Sequence, residues 1–229
     1  MTFTKGTLTF LRDLKKDNTS EWFKENRPRY DEHVYAPSLD FAQGVLAHCA
    51  KLGLPFRGEP KKCLFRVNRD IRFSKDKSPY KTHIGITFTP TGEKQAFGVG
   101  YFHIEPKEIF VAGGFWCPEP PELKRFREAI ARKPDLFLAA AKDVTKAGYT
   151  MECEPGFLLK RLPKGYESQA ETPQAEYLKW KSFTASMPMS AEDLLSPKLA
   201  QEVAKKLAKL LPLLEFGWKN VAPPRPRGG

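Results

Sequence analysis

Apolar positions in the first fifty residues recur at helical spacing. Leu8, Leu11 and Leu14 repeat every three residues behind Thr7, a residue type that caps helices, and Ser20 stands in the same relation to Trp22 and Phe23. From Asp31 onward, Val34, Leu39, Phe41, Val45, Leu46, Cys49 and Leu52 predict a helix that is interrupted or restarts near Pro37 and ends at Gly53. After Pro60 the period shortens. CLFRV, HIGITFTP, FGVGYFHIE and EIFVAGGFW are rich in β-branched and aromatic residues and are separated by the turn-prone PTGEK and EPKE, so they read as strands of one antiparallel meander. In HIGITFTP, Ile84, Ile86 and Phe88 alternate with Gly85, Thr87 and Thr89, which predicts one buried and one more polar sheet face. Gly98, Gly100, Gly113 and Gly114 mark bulges or close approaches within these strands.

Helical spacing returns at Pro-Glu-Pro-Pro, residues 118–121, followed by Leu123, Phe126 and Ile130, and a second helix runs from Pro134 toward Ala147. YTMECE reads as another short strand, LPKGYESQAETPQ as loop, and KSFTASMPM as a late strand. From about Ser196, Leu199, Val203, Leu207, Leu210, Leu211 and Leu214 predict one last amphipathic helix capped by Gly217. APPRPRGG reads as an extended, disordered tail. Without an internal repeat or a dividing linker, the expectation is a single α+β domain over residues 1–221, an antiparallel meander packed against N-terminal and C-terminal helices, with 222–229 as the tail.

Composition adds charge to this picture. Lys and Arg outnumber Asp and Glu by 38 to 27, a formal net charge of +11, so acidic partners are attracted. A chain of 229 residues with 41% apolar residues and 17 Phe can fill a sizeable core. No stretch approaches the roughly 20 apolar residues of a membrane span, and the N-terminus lacks the apolar core and cleavage site of a secretory signal. Cys49, Cys63, Cys117 and Cys153 lie far apart, a pattern read as reduced thiols in a cytoplasm.

The charge concentrates in FRVNRDIRFSKDKSPYKTH, residues 65–83. In an extended conformation Arg66, Asn68, Asp70 and Arg72 project from one side while Phe65, Val67, Ile71 and Phe73 face the core; Arg69 breaks the alternation and needs a carboxylate or carbonyl partner. The turn-like SKDKSPYK lifts Lys77, Tyr80 and Lys81 beside that face. Asp70 and Asp76 are too few to neutralise the cations, which leaves room for an anion gripped by Arg66, Arg69, Arg72, Lys77, Lys81 and His83 in a concave pocket. Candidate catalytic groups are Asp70, as a base or as the acid that positions arginine, Tyr80 as a proton relay, and His103 and Glu105, which share a strand face with Tyr101. The competing account makes Arg69 and Asp70 a structural ion pair and the lysines a solvated loop. Asn26, Arg27, Arg29, Tyr30 and His33 form a second polar group, placed either to cover the site or to face solvent.

The run Arg66-x-x-Arg69-Asp70-x-Arg72-Phe73-x-x-Asp76-Lys77-x-x-Tyr80 is similar to the signature of a bacterial protein family of unknown function and about this length. WFKENRPRYDEHVYAP, PYKTH, GYFHIEP, GGFWCPEPPELKRFR and KSFT extend the resemblance over nearly the whole chain. It implies that Arg66, Arg69, Asp70, Arg72, Phe73, Asp76, Lys77 and Tyr80 belong to one constellation, and it implies neither a reaction nor a cofactor.

Other chemistries leave no trace. There is no G-x-S-x-G elbow, Walker loop or G-x-G-x-x-G, and His33, His48, His83 and His103 form no H-E-x-x-H, so no metal site is expected. The favoured function is a protein that binds, or an enzyme that acts on, a small phosphate- or carboxylate-bearing ligand. The alternatives are nucleic-acid binding, with Trp22, Tyr80 and Trp116 as stacking groups, and docking of an acidic protein.

Overall fold

A computed structural model describes residues 2–70, 72, 76–94, 96–151, 153 and 155–221. Ile71, Phe73, Lys75 and the tail 222–229, for which expectations were stated above, lie outside the described residues.

Helices α1 (Lys5–Lys16), α2 (Ser20–Glu25) and α3 (Arg27–Tyr30) lead through a π-helical turn, Asp31–Tyr35, into α4 (Ala36–Lys51). The caps lie slightly upstream of those expected: Thr4 caps α1, with Thr7 completing a capping box from inside the first turn, and Thr19 rather than Ser20 caps α2. The helix restarts near Pro37 as expected: the π-helical turn ends at Tyr35 and α4 begins at Ala36, with the proline in its first turn, where a missing N–H is tolerated. Gly53 ends the helix with φ +67°, as its position predicted.

The short helix α5 (Pro60–Cys63) precedes the sheet strands β1 (Ile84–Phe88), β2 (Val99–Glu105) and β3 (Glu108–Phe115). Then come α6 (Pro120–Arg132), α7 (Pro134–Lys146), β4 (Thr150–Met151), α8 (Ala175–Leu178), β5 (Phe183–Pro188), α9 (Ala191–Leu194), α10 (Leu199–Lys209) and α11 (Leu211–Asn220). The fold is α+β as expected, with helices flanking a five-stranded antiparallel sheet of order β1-β2-β3-β5-β4. Among the described residues no helix is long and apolar enough to cross a membrane.

Three expectations are corrected. CLFRV is not a strand: Cys63 closes α5, and Leu64 makes only an isolated bridge to Ile86. β1 has no polar face, since Gly85, Thr87 and Thr89 are as buried as Ile84, Ile86 and Phe88, and the Thr87 hydroxyl is satisfied internally by donating to Cys63 O. The final leucine repeat is two helices, because Pro212 cannot continue α10 and instead sits in the first turn of α11; Gly217 lies inside α11, where an added Cβ would be 2.0 Å from Phe115 Cζ.

The described residues group into two compact units, one drawn from residues 1–96, 100–111 and 188–208, the other from 97–99, 112–187 and 209–229. In the first, Phe41 of α4 packs on Phe88 and Phe102 at ring-centroid distances of 6.5 and 4.8 Å, and Phe10 of α1 contacts Trp22, Phe23 and Tyr30. In the second, Phe126 stacks on Phe183 at 4.1 Å, and Phe137 and Phe216 complete an aromatic core. Each such buried ring contributes about 2–3 kcal/mol.

Candidate functional site

The basic segment and the side chains around it belong to the first unit. The basic segment folds back on itself. Lys81 N donates to Val67 O and Arg69 N to Pro79 O, both at 2.8 Å, so residues 67–69 lie beside residues 79–81, joined by an isolated Asn68–Tyr80 bridge. Asn18 pins this loop from the α1–α2 connection: its Nδ2 donates to Tyr80 O and its Oδ1 accepts from Tyr80 N, each at 3.0 Å. The Tyr80 ring stacks on Phe23 at 4.1 Å, an anchoring position for a residue expected to relay protons.

The ion pairs differ from the expected Arg69–Asp70 pair. Arg72 holds Asp70 with two parallel bonds of 3.0 and 2.7 Å on the exposed surface, and its side-chain and backbone N–H groups hold the Asp70 carboxyl well below the usual range. Arg69 instead pairs with Asp76 and donates weakly to Tyr80 O at 3.4 Å, while its Nε is buried without a hydrogen-bond partner. Lys77 is exposed.

Asp76 also accepts from Ser78 N at 2.9 Å, and chiefly this bond, with the Ser78 hydroxyl and Arg69, lowers its pKa. A carboxyl depressed in the folded state stabilises the loop fully above its unfolded pKa of about 3.9, and that contribution disappears as the pH falls through the lower folded value. Amide exchange at Ser78, normalised to its intrinsic rate, should therefore accelerate below about pH 4. In Asp76→Ala, which removes the acceptor, it should be fast at all pH values; a Ser78 amide indifferent to both changes would contradict the assignment.

Over the sheet the cations gather around one ring. Phe65 N donates to Gly85 O, and its ring lies over Gly85, where an added Cβ would be 3.1 Å from Phe65 Cδ2 and 2.7 Å from the Tyr101 hydroxyl. The ammonium groups of Lys81 and Lys94 stand 5.3 and 5.4 Å from the Phe65 centroid, and Lys81 Nζ donates to Arg66 O at 3.1 Å. Burial lowers the Lys81 pKa, and the other charges bearing on it are three cations, Arg66, Lys94 and Arg69.

Beside them lies a row of rings from β2, β3 and His83, the residue before β1. His83 stacks on His103 at 4.8 Å, His103 on Phe110 at 4.7 Å, and the Tyr101 hydroxyl is 3.0 Å from His103 Nδ1. Burial, then His103 and Lys81, push His83 down to about 4, with Arg69 adding to the effect and Glu105 opposing it. Burial alone would raise Glu105, but the hydrogen bond and charge of Lys15, its Nζ 2.9 Å from Oε1, hold the carboxyl low.

Of the expected site residues, Arg66 and Arg69 act on Lys81; Arg69, Lys81, His103 and Glu105 act on His83; and both histidines act on Glu105. Arg72 and Asp70 pair with each other, Tyr80 is held by Asn18 and Phe23, and Lys77 is exposed. Among the described residues, the cavity bounded by Phe10, Tyr30, Val67, Lys81 and His83 measures about 20 Å³, room for one water. The second polar group braces helices, with Arg29 bonded to Asn26 and Asp13, Arg27 to Asp31, and His33 against Gly6. Sequence reasoning missed Lys15, Asn18 and Lys94, whose roles depend on tertiary contacts. It also missed Glu108, which the two-residue turn after Glu105 places next to the histidine face.

Residues 6–216 match the family model described as a conserved hypothetical protein, DUF2461. The chain belongs to that family. No curated protein and no solved structure matches the chain. For DUF2461 the description carries no activity, so a function for this member rests on the side chains above.

Proposed function

We propose that this protein binds a small phosphate- or carboxylate-bearing ligand on the surface formed by Arg66, Arg69, Lys81 and Lys94, with His83 at its edge. The observation that carries the reading is the crowding of like charge: two ammonium groups share the Phe65 ring, and the charges acting on Lys81 are all positive. Cations held this close repel one another, and an anion placed among them relieves that repulsion. The unpartnered, buried Nε of Arg69 supports the same reading, as a donor an oxyanion would satisfy. His83, kept neutral near pH 7, offers a ring nitrogen to the ligand as donor or acceptor. Because the adjoining cavity admits only a water, the ligand lies over the surface, with the phosphate or carboxylate as the gripped part.

Calorimetric titration with phosphate, pyrophosphate and citrate at low salt tests this. Lys81→Met and Lys94→Met should each weaken binding about tenfold, the effect of one charge-assisted contact, and Arg72→Met should change little. Absence of binding by all three anions at millimolar concentrations, or equal affinity in wild type and both lysine variants, would overturn the proposal.

A further inference from the structure

The hairpin of β2 and β3 turns through only two residues, Pro106 and Lys107. In such a hairpin the residues flanking the turn stand opposite each other, and alternate residues share a face, so Glu105 and Glu108 form the first pair and His103 joins them. The stacking of His103 on Phe110 agrees with that register. One ligand atom each from His103, Glu105 and Glu108 lies within 4.8 Å of the others.

His103 supplies the independent observation. The residue is 9% exposed, and its Nε2 is buried with no hydrogen-bond partner. Glu105 Oε2 is 3.9 Å from it, too far for a hydrogen bond. A buried polar nitrogen left in this state is unfavourable unless something absent from the chain satisfies it. Two donors bound to one ion at about 2.1 Å stand about 3–3.5 Å apart, so a cation between Nε2 and Oε2 needs only a small adjustment, and Glu108 is exposed and free to swing inward.

The surroundings fit a ligand set. Tyr101 Oη holds His103 Nδ1 at 3.0 Å, fixing the ring by its other nitrogen as an outer partner of a metal-bound histidine does. Lys15 takes Oε1 of Glu105 at 2.9 Å, which orients the carboxylate with Oε2 toward His103. Lys15 is the alternative resident cation, but it leaves Nε2 unsatisfied. We propose that His103 Nε2, Glu105 Oε2 and the Glu108 carboxylate bind a divalent first-row transition-metal ion. One imidazole and two carboxylates suit Mn²⁺ or Zn²⁺, with the remaining positions taken by solvent. The three residues are compressed into H-x-E-P-x-E, residues 103–108, a spacing that makes sense only once the hairpin is known.

The test uses the full chain, stripped with chelator and dialysed. Free Mn²⁺ is followed by electron paramagnetic resonance, since Mn²⁺ avoids the four thiols, and Zn²⁺ serves as competitor. One Mn²⁺ per chain should bind and be displaced by Zn²⁺. Glu108→Gln, an exposed change that spares the fold, should weaken binding at least about tenfold, while Arg72→Met leaves it unaltered. His103→Gln should abolish it, with circular dichroism confirming the fold. Failure of both ions to bind, or equal affinity in wild type and Glu108→Gln, would overturn the site.

Discussion

Gly114→Ala is expected to lower the melting temperature by about 10 °C or to leave the protein insoluble. Gly114 lies in β3 with φ +133°, a conformation that L side chains rarely adopt. A Cβ built there falls 2.1 Å from Phe183 O and 2.8 Å from Thr184 Cα, both backbone atoms of the neighbouring strand β5. Backbone in a sheet cannot swing aside as a long side chain can, so β5 must move away, loosening its pairing with β3 and the stack of Phe183 on Phe126. The overlap and the backbone strain together cost at least about 3 kcal/mol, a large share of an ordinary domain's stability. Gly53→Ala isolates the backbone part: its φ is also positive, at +67°, but nothing lies within 4 Å of the new Cβ. That variant should lose only about 1–2 kcal/mol. Differential scanning calorimetry of the two proteins decides the matter. Equal melting temperatures would show that β3 and β5 do not approach as closely as described.

The contrast between these glycines shows which features the chain discloses before it folds. Gly53 and Gly114 were both legible, one as a helix stop and one as a bulge or close approach, because a residue without a Cβ has few other reasons to stand in those places. The helices 120–132 and 134–146 and the strands of the meander were legible through period and proline placement. CLFRV misled because alternation describes any extended segment. Whether it joins a sheet depends on a partner, and the partner of Val67 proved to be Lys81 within the same loop. The leucine repeat after Ser196 misled in the opposite way, since its periodicity carries across Pro212 and conceals the restart. Within the candidate site, Tyr101, His103 and Glu105 could be placed on one face by counting in twos. Lys15 is 90 residues from Glu105 in sequence and Asn18 is 62 from Tyr80, so no local pattern announces either contact.

Asn18→Ala should loosen the basic loop without removing any of its charges. The Asn18 amide acts as a substitute peptide group, giving Tyr80 the donor and acceptor that a neighbouring strand would supply. Two such bonds contribute about 2 kcal/mol, which corresponds to about a thirtyfold change in the equilibrium between closed and open loop. Exchange at the Tyr80 and Lys81 amides should accelerate by about that factor, while Ile86 and Phe102 in the sheet remain protected. Asn18→Asp is the sharper probe. It keeps an acceptor for Tyr80 N but presents oxygen where Tyr80 O requires a donor, so it should open the loop at least as far as alanine does. Because Lys81 lies next to Tyr80 and its ammonium reaches back to Arg66 O, opening the loop disperses the cation cluster around Phe65. Anion affinity should fall in parallel with loop protection in both Asn18 variants, though neither changes a cationic side chain. If the loop opens and phosphate binding is unchanged, the anion is held elsewhere. If the amides of Tyr80 and Lys81 stay protected, Asn18 is not the clasp and Arg69, through Asp76 and Tyr80 O, holds the loop without it.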